Sequence, residues 1–205
     1  MLVVDATQSM GMVPIDAYET NADAIVSSGY KWLRGTYGAA VGFISPSVVK
    51  TLNPGLMGFR SNSDIWELRA DRLEMPEDAS RFEFTTIHFG AVLGLAAAID
   101  ELLEMGMDEV WRHDLELADH LIRGAEGLGI EVVSPTSESE RSAIVSLRMP
   151  SGLSSVEVSN RLQSEYSILT TSRSGMLRVS PHIDNELSQI DSLVAALSEI
   201  LSQVR

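Results

Sequence analysis

A single lysine lies in an unusual setting near the start of the chain. Lys31 belongs to the stretch VSSGYKWLRG, where small hydroxyl residues, glycines and aromatic residues surround it. A lysine amine becomes a nucleophile only when it is deprotonated, and partial burial favours the neutral amine. Two interpretations are therefore open. Lys31 is an ordinary surface charge, or it is an amine that is held out of water for chemistry.

Three further side chains have types that could act together with such an amine. Asp5 ends the apolar run MLVVD, Gln8 follows it three residues later, and Arg178 lies far along the chain in MLRVSPH. They offer a carboxylate, a neutral amide and a guanidinium that can pair with a carboxylate through two hydrogen bonds. Each also has a structural interpretation: a strand-end aspartate that caps a turn, an exposed turn residue, and an arginine in a surface ion pair.

Short apolar runs precede these residues and predict strands that position them. The first run leads into Asp5, and a second, Ala24–Val26, leads into SSGYK. A third run extends from Gly38 to Pro46 and is closed by a proline, which cannot continue a strand ladder. Short runs of this kind, bounded by turn residues, are typical of buried strands.

The middle of the chain predicts a long loop followed by two helices. The segment from Pro54 to Ser80 is irregular, and long ordered loops are often functional. A helix follows that ends near Gly106, and a second helix covers about Asp108 to Gly124. Apolar residues at helical spacing define the expected buried face of the first helix: Val92, Leu95, Ala96, Ile99, Leu102 and Leu103.

The C-terminal region has a different pattern of predicted strands and helices. The stretches IEVVS, SAIVSLRM, SILTTS and MLRVSPH predict strands, and SSVEVSNRLQSEY predicts a helix between them. Apolar residues spaced three and four apart, from Leu187 to Leu201, predict a final helix. The sequence therefore predicts an α/β domain followed by a smaller α+β domain.

Composition excludes several classes of function. The 205 residues include 29 acids and 15 bases, which gives a net charge of −14 and argues against nucleic acid or an anionic membrane as a partner. There is no cysteine, so a disulfide framework, a zinc–thiolate site and a cysteine nucleophile are all excluded. His88, His113 and His120 lack metal-ligand spacing, and we expect no metal site. Without a membrane span or a basic leader, we expect a cytoplasmic protein.

Several motifs occur together in an order that resembles one enzyme family. The pattern D-x-x-Q … S-G-[H/Y]-K-W, the stretch RFEFTT (Arg81–Thr86) and the stretch LRVSPHIDN (Leu177–Asn185) resemble the class V, fold-type I pyridoxal-phosphate enzymes. This family includes cysteine desulfurases, selenocysteine lyases and isopenicillin epimerase-like proteins. The resemblance covers nearly the whole chain. It implies the C-terminal part of the large α/β domain over residues 1–90, then linking helices and a small α+β domain over residues 91–205.

The resemblance implies a cofactor and the residues that contact it. The cofactor is pyridoxal phosphate, with Lys31 as the Schiff-base lysine and the base at the α-carbon of the substrate. Asp5 pairs with the ring nitrogen and keeps it protonated, which strengthens the ring as an electron sink. Gln8 donates a hydrogen bond to the phenolic oxygen. Ser28 and Tyr30 are the implied phosphate ligands, with both the hydroxyl and the backbone N–H of Ser28 available.

Two more residues acquire roles from the same resemblance. Thr86 matches a threonine that reaches the cofactor phosphate of the neighbouring subunit, which implies a homodimer with shared sites; the alternative is a helix N-cap. Arg178 matches the arginine that binds the α-carboxylate of an amino-acid substrate. Arg173 and His182 are expected to be structural, and Trp32 is expected to belong to the core.

The chain also departs from the family. Position 30 is often histidine in the desulfurases and is tyrosine here, and Thr85 replaces a usual glycine. Without cysteine, the chain cannot form a persulfide on a residue of its own. Family members are about twice as long, so we expect a truncated form in which sheet edges and apolar surface lie open.

Three functions remain open on these grounds. The leading one is an aminotransferase-like or lyase enzyme that acts on a small amino acid through Lys31. The second is a non-catalytic C-terminal fragment that dimerises and lacks a complete cofactor site. The third is a generic α/β binding module in which Asp5, Gln8 and Lys31 occur together by coincidence.

Overall fold

The chain forms two compact units. A computed structural model describes residues 1–203, and the chain divides into unit 1, Met1–Met107, and unit 2, Asp108–Arg205. The predicted domain boundary between residues 90 and 91 concerns the family's domains and stays a prediction. In the part of the chain that the structure describes, no helix is long and apolar enough to cross a membrane.

Unit 1 contains a three-stranded sheet in the order β1-β2-β3. The strands are β1 (Val3–Asp5), β2 (Ala24–Ser28) and β3 (Ala40–Ile44), as the apolar runs predicted. β1 and β2 are parallel, with Asp5 opposite Val26, whereas β3 is antiparallel to β2. Because β1 and β2 are parallel, their carboxyl ends meet at one edge of the sheet, where both motif-bearing turns begin.

The segment between β3 and the next long helix is irregular, as predicted. It contains a short helix α1 (Pro46–Val49) and two 3₁₀ turns, Phe59–Ser61 and Ala79–Phe82. Buried Arg81 donates to the carbonyl oxygen of Val49 at 3.2 Å, which ties the RFEFTT stretch to the end of α1. This bond connects the two ends of the long irregular segment.

Helix α2 (Phe89–Met105) ends at Gly106, as predicted, but its expected buried face is only partly buried. Leu95 and Leu102 are buried, whereas Val92 and Leu103 are exposed. The prediction of one buried face is wrong because α2 carries apolar residues on more than one side. A helix of this type requires cover on several sides to bury all of them.

Unit 2 contains a four-stranded antiparallel sheet in the order β4-β5-β7-β6. Its strands are β4 (Glu131–Val132), β5 (Val145–Arg148), β6 (Thr171–Arg173) and β7 (Met176–Val179). β6 and β7 are joined by Ser174 and Gly175, which have φ angles of 52° and 77°. Two positive φ angles are typical of the tight hairpin turn whose twist matches the strands.

Three helices cover this sheet and close a core. They are α3 (Met107–Gly127), α4 (Ser155–Tyr166) and α5 (Leu187–Ser202). The core takes alternate residues of the strands and one stripe of each helix, including Leu121, Leu147, Leu162, Leu177 and Leu197. The pattern of a smaller α+β domain is confirmed.

Candidate functional site

The motif D-A-T-Q forms a tight turn directly after β1. The backbone N–H of Ala6 donates to Val26 O at 2.7 Å, and that of Ser9 donates to Ala6 O at 2.9 Å. The first bond joins the turn to β2, and the second closes the turn directly after β1. As a result, the side chains of Asp5 and Gln8 lie at the carboxyl edge of the sheet, beside the turn that follows β2.

The carboxylate of Asp5 is held by the turn that it precedes. The backbone N–H of Thr7 donates to Asp5 Oδ1 at 3.0 Å. This is the hydrogen bond expected if Asp5 caps the turn that follows β1. Hydrogen bonds from the Thr7 hydroxyl and then from its N–H lower the pKa of Asp5 below the ordinary carboxyl value. The charge of Lys31 acts in the same direction, while burial opposes it. Asp5 is thus kept ionised, and it lies within electrostatic reach of Lys31.

Thr7 joins the two motif-bearing turns. Its Oγ1 accepts a hydrogen bond from the backbone N–H of Ser28 at 3.1 Å. The prediction that the N–H of Ser28 is available to a phosphate is therefore wrong, because Thr7 already accepts that bond. The Ser28 hydroxyl makes no hydrogen bond within residues 1–203 and remains available as a donor. Sequence reasoning missed Thr7, although a threonine two residues after an aspartate is a common turn signal.

Gln8 lies in the same turn and contacts the aromatic residue next to the lysine. The Nε1–H of Trp32 donates to Gln8 Oε1 at 3.3 Å. Trp32 is buried, as predicted. The predicted cofactor residue and the predicted core residue are therefore in direct contact, a pairing that the sequence alone did not indicate.

The loop that carries Lys31 is closed at its base and packs on α2. The N–H of Gly35 donates to Gly29 O at 2.8 Å. A Cβ atom on Gly29 or Gly35 would lie 2.8 or 2.6 Å from the side chain of Leu95. Only residues without a side chain allow α2 to approach so closely. Lys31 is half-buried at the top of this loop.

Tyr30 is half exposed and forms an aromatic stack beside the lysine. Its ring lies 4.5 Å from the ring of Tyr37, with an angle of 20° between the planes. Lys31 Nζ lies 5.9 Å from the centroid of the Tyr30 ring. Sequence reasoning missed Tyr37, which is well placed to fix the orientation of the Tyr30 phenol.

Thr86 is exposed and is not the N-cap of α2. The cap is His88, whose Nδ1 accepts a hydrogen bond from Ala91 N–H at 3.0 Å. The alternative role that we considered for Thr86 is therefore wrong. The role of His88 was also missed, because histidine is an uncommon N-cap residue.

Arg178 occupies the middle of the unit 2 sheet. It lies in β7 between Ser146 of β5 and Thr171 of β6, so it is flanked by two hydroxyl residues on one sheet face. Its Nε is buried and has no hydrogen-bond acceptor, and no carboxylate pairs with it among residues 1–203. Such a guanidinium is suited to an external anion. The surface ion pair that we considered for Arg178 is not present.

The neighbours of Arg178 that we expected to be structural have different environments. His182 Nδ1 and the fully buried Asp114 Oδ2 lie 2.7 Å apart, which joins the segment after β7 to α3. Arg173 is exposed at the hairpin. His182 is therefore a structural residue, as predicted.

The candidate cations belong to a minority of basic side chains in residues 1–203 that have no acid partner, which also includes Arg81, Arg123 and Arg173. Lys31 and Arg178 have no acid partner within 4 Å in the described part of the chain, although acids outnumber bases. Nine other lysine or arginine side chains do pair with an acid there: Arg34, Lys50, Arg60, Arg69, Arg72, Arg112, Arg141, Arg148 and Arg161. The lack of an acid partner does not by itself distinguish the two candidate cations, but it leaves both able to pair with a ligand.

Comparison with known proteins assigns the family. The family model for aminotransferase class-V proteins matches residues 1–193. This chain belongs to the class V aminotransferase family. The resemblance that the motifs indicated is confirmed, and so is the predicted fold class.

Two relatives of this class V chain are described as probable cysteine desulfurases. The protein from Pyrococcus abyssi is 28% identical over 218 residues, which covers 100% of this chain and 53% of the relative. The protein from Aeropyrum pernix is 31% identical over 153 residues, covering 72% of this chain and 37% of the relative. The chain thus spans about half the length, or less, of these curated relatives.

Solved structures show the same fold. The apo cysteine desulfurase from Thermococcus onnurineus superposes with a TM-score of 0.87 at 26% identity, covering 98% of this chain and 52% of that one. A cystine C–S lyase bound to its product, cysteine persulfide, superposes with a TM-score of 0.82 at 24% identity, covering 94% and 50%. Another structure of that lyase carries glycine covalently linked to its pyridoxal-phosphate cofactor. The family and these neighbours support pyridoxal phosphate as the cofactor.

Proposed function

We propose that this chain carries part of the catalytic site of a pyridoxal-phosphate enzyme, aminotransferase-like or a lyase, that acts on a small amino acid. The observation that supports this most strongly is the meeting of two turns at the carboxyl edge of β1 and β2. A carboxylate, an amide and an unpaired amine converge there, from Asp5, Gln8 and Lys31. These are the groups that the cofactor requires around its ring and its aldehyde.

Lys31 is the residue that would carry the cofactor as a Schiff base. When bound, pyridoxal phosphate supplies an aldehyde for this amine and a ring that withdraws electrons from the substrate α-carbon. Lys31 is half-buried on a loop that is closed at its base by the bond from Gly35 to Gly29. The same amine would act as the base that takes the proton from the α-carbon of the substrate.

Asp5 would hold the proton on the ring nitrogen. A group with this task must stay ionised, and the hydrogen bonds from Thr7 lower the pKa of Asp5. The structural and the functional interpretations of Asp5 are therefore compatible, because Oδ1 caps the turn while the second oxygen is free of that bond. Thr7 becomes a positioning residue for Asp5 in this account.

The phosphate would be held in part by hydroxyl groups beside Lys31. The Ser28 hydroxyl and the Tyr30 phenol are the donors on this side, and neither donates to the protein within residues 1–203. A phenol donates a hydrogen bond without a charge, unlike a protonated histidine. We expect a weaker electrostatic hold on the phosphate than in relatives with histidine at this position.

Arg178 would bind the α-carboxylate of the substrate. A guanidinium pairs with a carboxylate through two parallel hydrogen bonds, which fixes orientation as well as charge. Its unpaired state and buried Nε support this role. The net charge of −14 would disfavour anions in general, so a specific cation is needed to capture one.

A homodimer belongs to the same proposal. Thr86 is exposed, does not cap α2, and lies in the stretch that reaches the neighbouring subunit's phosphate in the family that the chain resembles. Phe84 and Phe89, on either side of it, are exposed apolar side chains that an interface would cover. The predicted cytoplasmic location stays a prediction.

Two observations bear on the reaction and on the rival function. These 205 residues contain no cysteine, so none of them can accept sulfur as a persulfide. Transamination or elimination therefore fits this sequence better than the desulfurase activity for which its relatives are named. The rival function, a non-catalytic dimerising fragment, predicts that Lys31 does not react with the cofactor.

Visible absorption of the purified chain incubated with pyridoxal phosphate separates these functions. We expect a new absorption band that borohydride makes permanent in the wild-type chain and in Lys50→Ala, and no band in Lys31→Ala. Lys50 is a matched control because it is exposed and paired with Glu77 at 2.7 Å. A colourless wild-type protein with unchanged thermal stability would support the fragment and contradict the enzyme.

A further inference from the structure

The contact between Trp32 and Gln8 determines which way the amide of Gln8 is oriented. An indole N–H is a donor and never an acceptor, so the amide atom that faces Trp32 Nε1 at 3.3 Å must be Oε1. The amide nitrogen of Gln8 is then directed away from Trp32. Within residues 1–203 this nitrogen donates to no protein acceptor.

Trp32 is itself held firmly. Only 7% of its surface is exposed, so its ring cannot rotate freely. Gly11 lies against its backbone, where a Cβ atom would be 2.5 Å from the carbonyl carbon of Trp32. Gly11 also has a φ of +98°, a conformation that favours glycine. The turn with Gln8 and the loop with Lys31 are therefore packed backbone to backbone.

We propose that Trp32 is a positioning residue that orients the Gln8 amide so that its NH₂ group donates to the phenolic oxygen of the cofactor. This inference rests on the function proposed above. A glutamine side chain has three rotatable bonds and an amide that can turn over, so an unrestrained Gln8 would present its oxygen as readily as its nitrogen. An oxygen in that position would repel the anionic phenolic oxygen.

The alternative is that Trp32 only fills space in the core. Both roles predict that truncation of Trp32 to alanine destabilises the protein, so that variant decides nothing. Trp32→Phe keeps an aromatic ring and removes the N–H donor. Trp66→Phe is the matched control, since Trp66 is 81% exposed and lies outside the site.

The first readout is the pH midpoint of the absorption band that forms when pyridoxal phosphate is linked to Lys31. The negative charge of the phenolic oxygen stabilises the protonated nitrogen of the linkage. A hydrogen-bond donor to that oxygen weakens this stabilisation, so it lowers the pH midpoint. We expect Gln8→Ala to raise the midpoint by about half a pH unit, the size of one modest hydrogen bond. Trp32→Phe should raise it by part of that amount, and Trp66→Phe should leave it unchanged.

The double variant Trp32→Phe with Gln8→Ala tests whether Trp32 changes the midpoint through Gln8. If Trp32 acts through Gln8, the change caused by Trp32→Phe disappears when position 8 is already alanine.

Gln8→Glu is a second variant at an exposed position. It still accepts from Trp32 but cannot donate, and its negative charge also favours the protonated linkage, so it should raise the midpoint at least as much as Gln8→Ala does. An unchanged midpoint in Trp32→Phe, or a change of full size in the double variant, overturns the proposal.

The second readout needs no cofactor. Nuclear relaxation of the Gln8 side-chain amide in the free protein reports how firmly it is held. We expect this amide to become more mobile in Trp32→Phe and to be unaffected in Trp66→Phe. Equal mobility in Trp32→Phe and wild type overturns the orienting role. If no band forms in the wild type, the proposed function fails instead, and the relaxation result still decides whether Trp32 orients Gln8.

Discussion

The two units of this chain bury their apolar residues to very different extents. Of the 22 large hydrophobic side chains that are exposed in the described residues, 19 lie in unit 1, and the other three are Val156, Leu169 and Leu187 in unit 2. Unit 2 has one continuous core that its sheet and three helices share. Among the described residues, unit 1 has ten buried hydrophobic side chains and unit 2 has nineteen. Ala6, Ala22 and Ile25 of unit 1 form one small cluster with partly buried neighbours.

The long helices of the two units show the origin of this difference. Helix α3 has one apolar stripe, and Val110, Leu117 and Leu121 on that stripe are fully buried. Helix α2 is apolar on several sides and leaves Leu93 and Leu103 exposed. A large exposed apolar surface marks a place where another surface docks. Unit 1 is therefore the unit with more apolar side chains that a further surface could cover.

Most of the candidate site lies in the unit with the open surface. Six of the seven predicted site residues are in unit 1, and only Arg178 is in unit 2. The outer edge of β1 is also unpaired in the described residues, since β2 is its one neighbour. Most of the proposed site thus lies in the unit with more exposed apolar surface, and the proposed substrate-binding arginine lies in the unit with the continuous core.

The largest expected effect concerns leucine truncation in the two helices. Leu121→Ala in α3 should lower the unfolding free energy of unit 2 by roughly 2–5 kcal/mol, because it opens a cavity in a closed core. Leu93→Ala in α2 should change stability by less than about 0.5 kcal/mol, since Leu93 is 68% exposed. Urea titration of both variants measures the difference. Equal losses would show that Leu93 is covered in solution and that the comparison is wrong.

The next prediction concerns the one site residue of unit 2. Arg178→Ala should weaken amino-acid binding to the cofactor-loaded protein by about 10- to 100-fold, the range for a charged, bidentate hydrogen-bonded pair. Arg173→Ala is the matched control on the same hairpin and should have little effect, because Arg173 is exposed at its end. Spectral titration with the amino acid measures both affinities. An unchanged affinity in Arg178→Ala would rule out its carboxylate role.

A smaller effect is expected at Thr7 in unit 1. Thr7→Val keeps the shape of the side chain and removes the hydroxyl that lowers the pKa of Asp5. The pKa of Asp5 should therefore rise toward the ordinary aspartate value of about 3.9. Because the folded-state pKa is depressed, the stability from Asp5 is present above the unfolded-state pKa and is lost as pH falls through the folded-state pKa. Titration of the Asp5 carboxyl carbon by NMR measures the shift, and an unchanged value would contradict this role for Thr7.

The sequence was sufficient for the fold and for the family. Short apolar runs predicted β1, β2 and β3, because strands of a covered sheet need β-branched and aromatic residues between turn residues. The regular spacing in α5 predicted its buried stripe, including Ile190, Leu193 and Leu197. Motif order predicted the class V family, which the family model confirms. These features are local in the chain, so a linear pattern can reveal them.

The sequence was not sufficient for contacts between distant residues. The bond from Trp32 to Gln8 joins residues 24 positions apart, and the one from Ser28 to Thr7 joins residues 21 apart. Both depend on the parallel register of β1 and β2, which no local pattern specifies. The buried face of α2 was also mispredicted, because helical spacing does not reveal which apolar side of a helix is covered.

We propose that Lys31, and not Lys50, is the lysine that reacts with the cofactor. The chain contains only two lysines, Lys31 and Lys50, so the chain carries its own control. After incubation with pyridoxal phosphate and reduction with borohydride, peptide mapping by mass spectrometry shows where the cofactor is attached. We expect attachment at Lys31 with little at Lys50. Attachment at Lys50 alone, or at both lysines equally, would contradict the proposed role of Lys31.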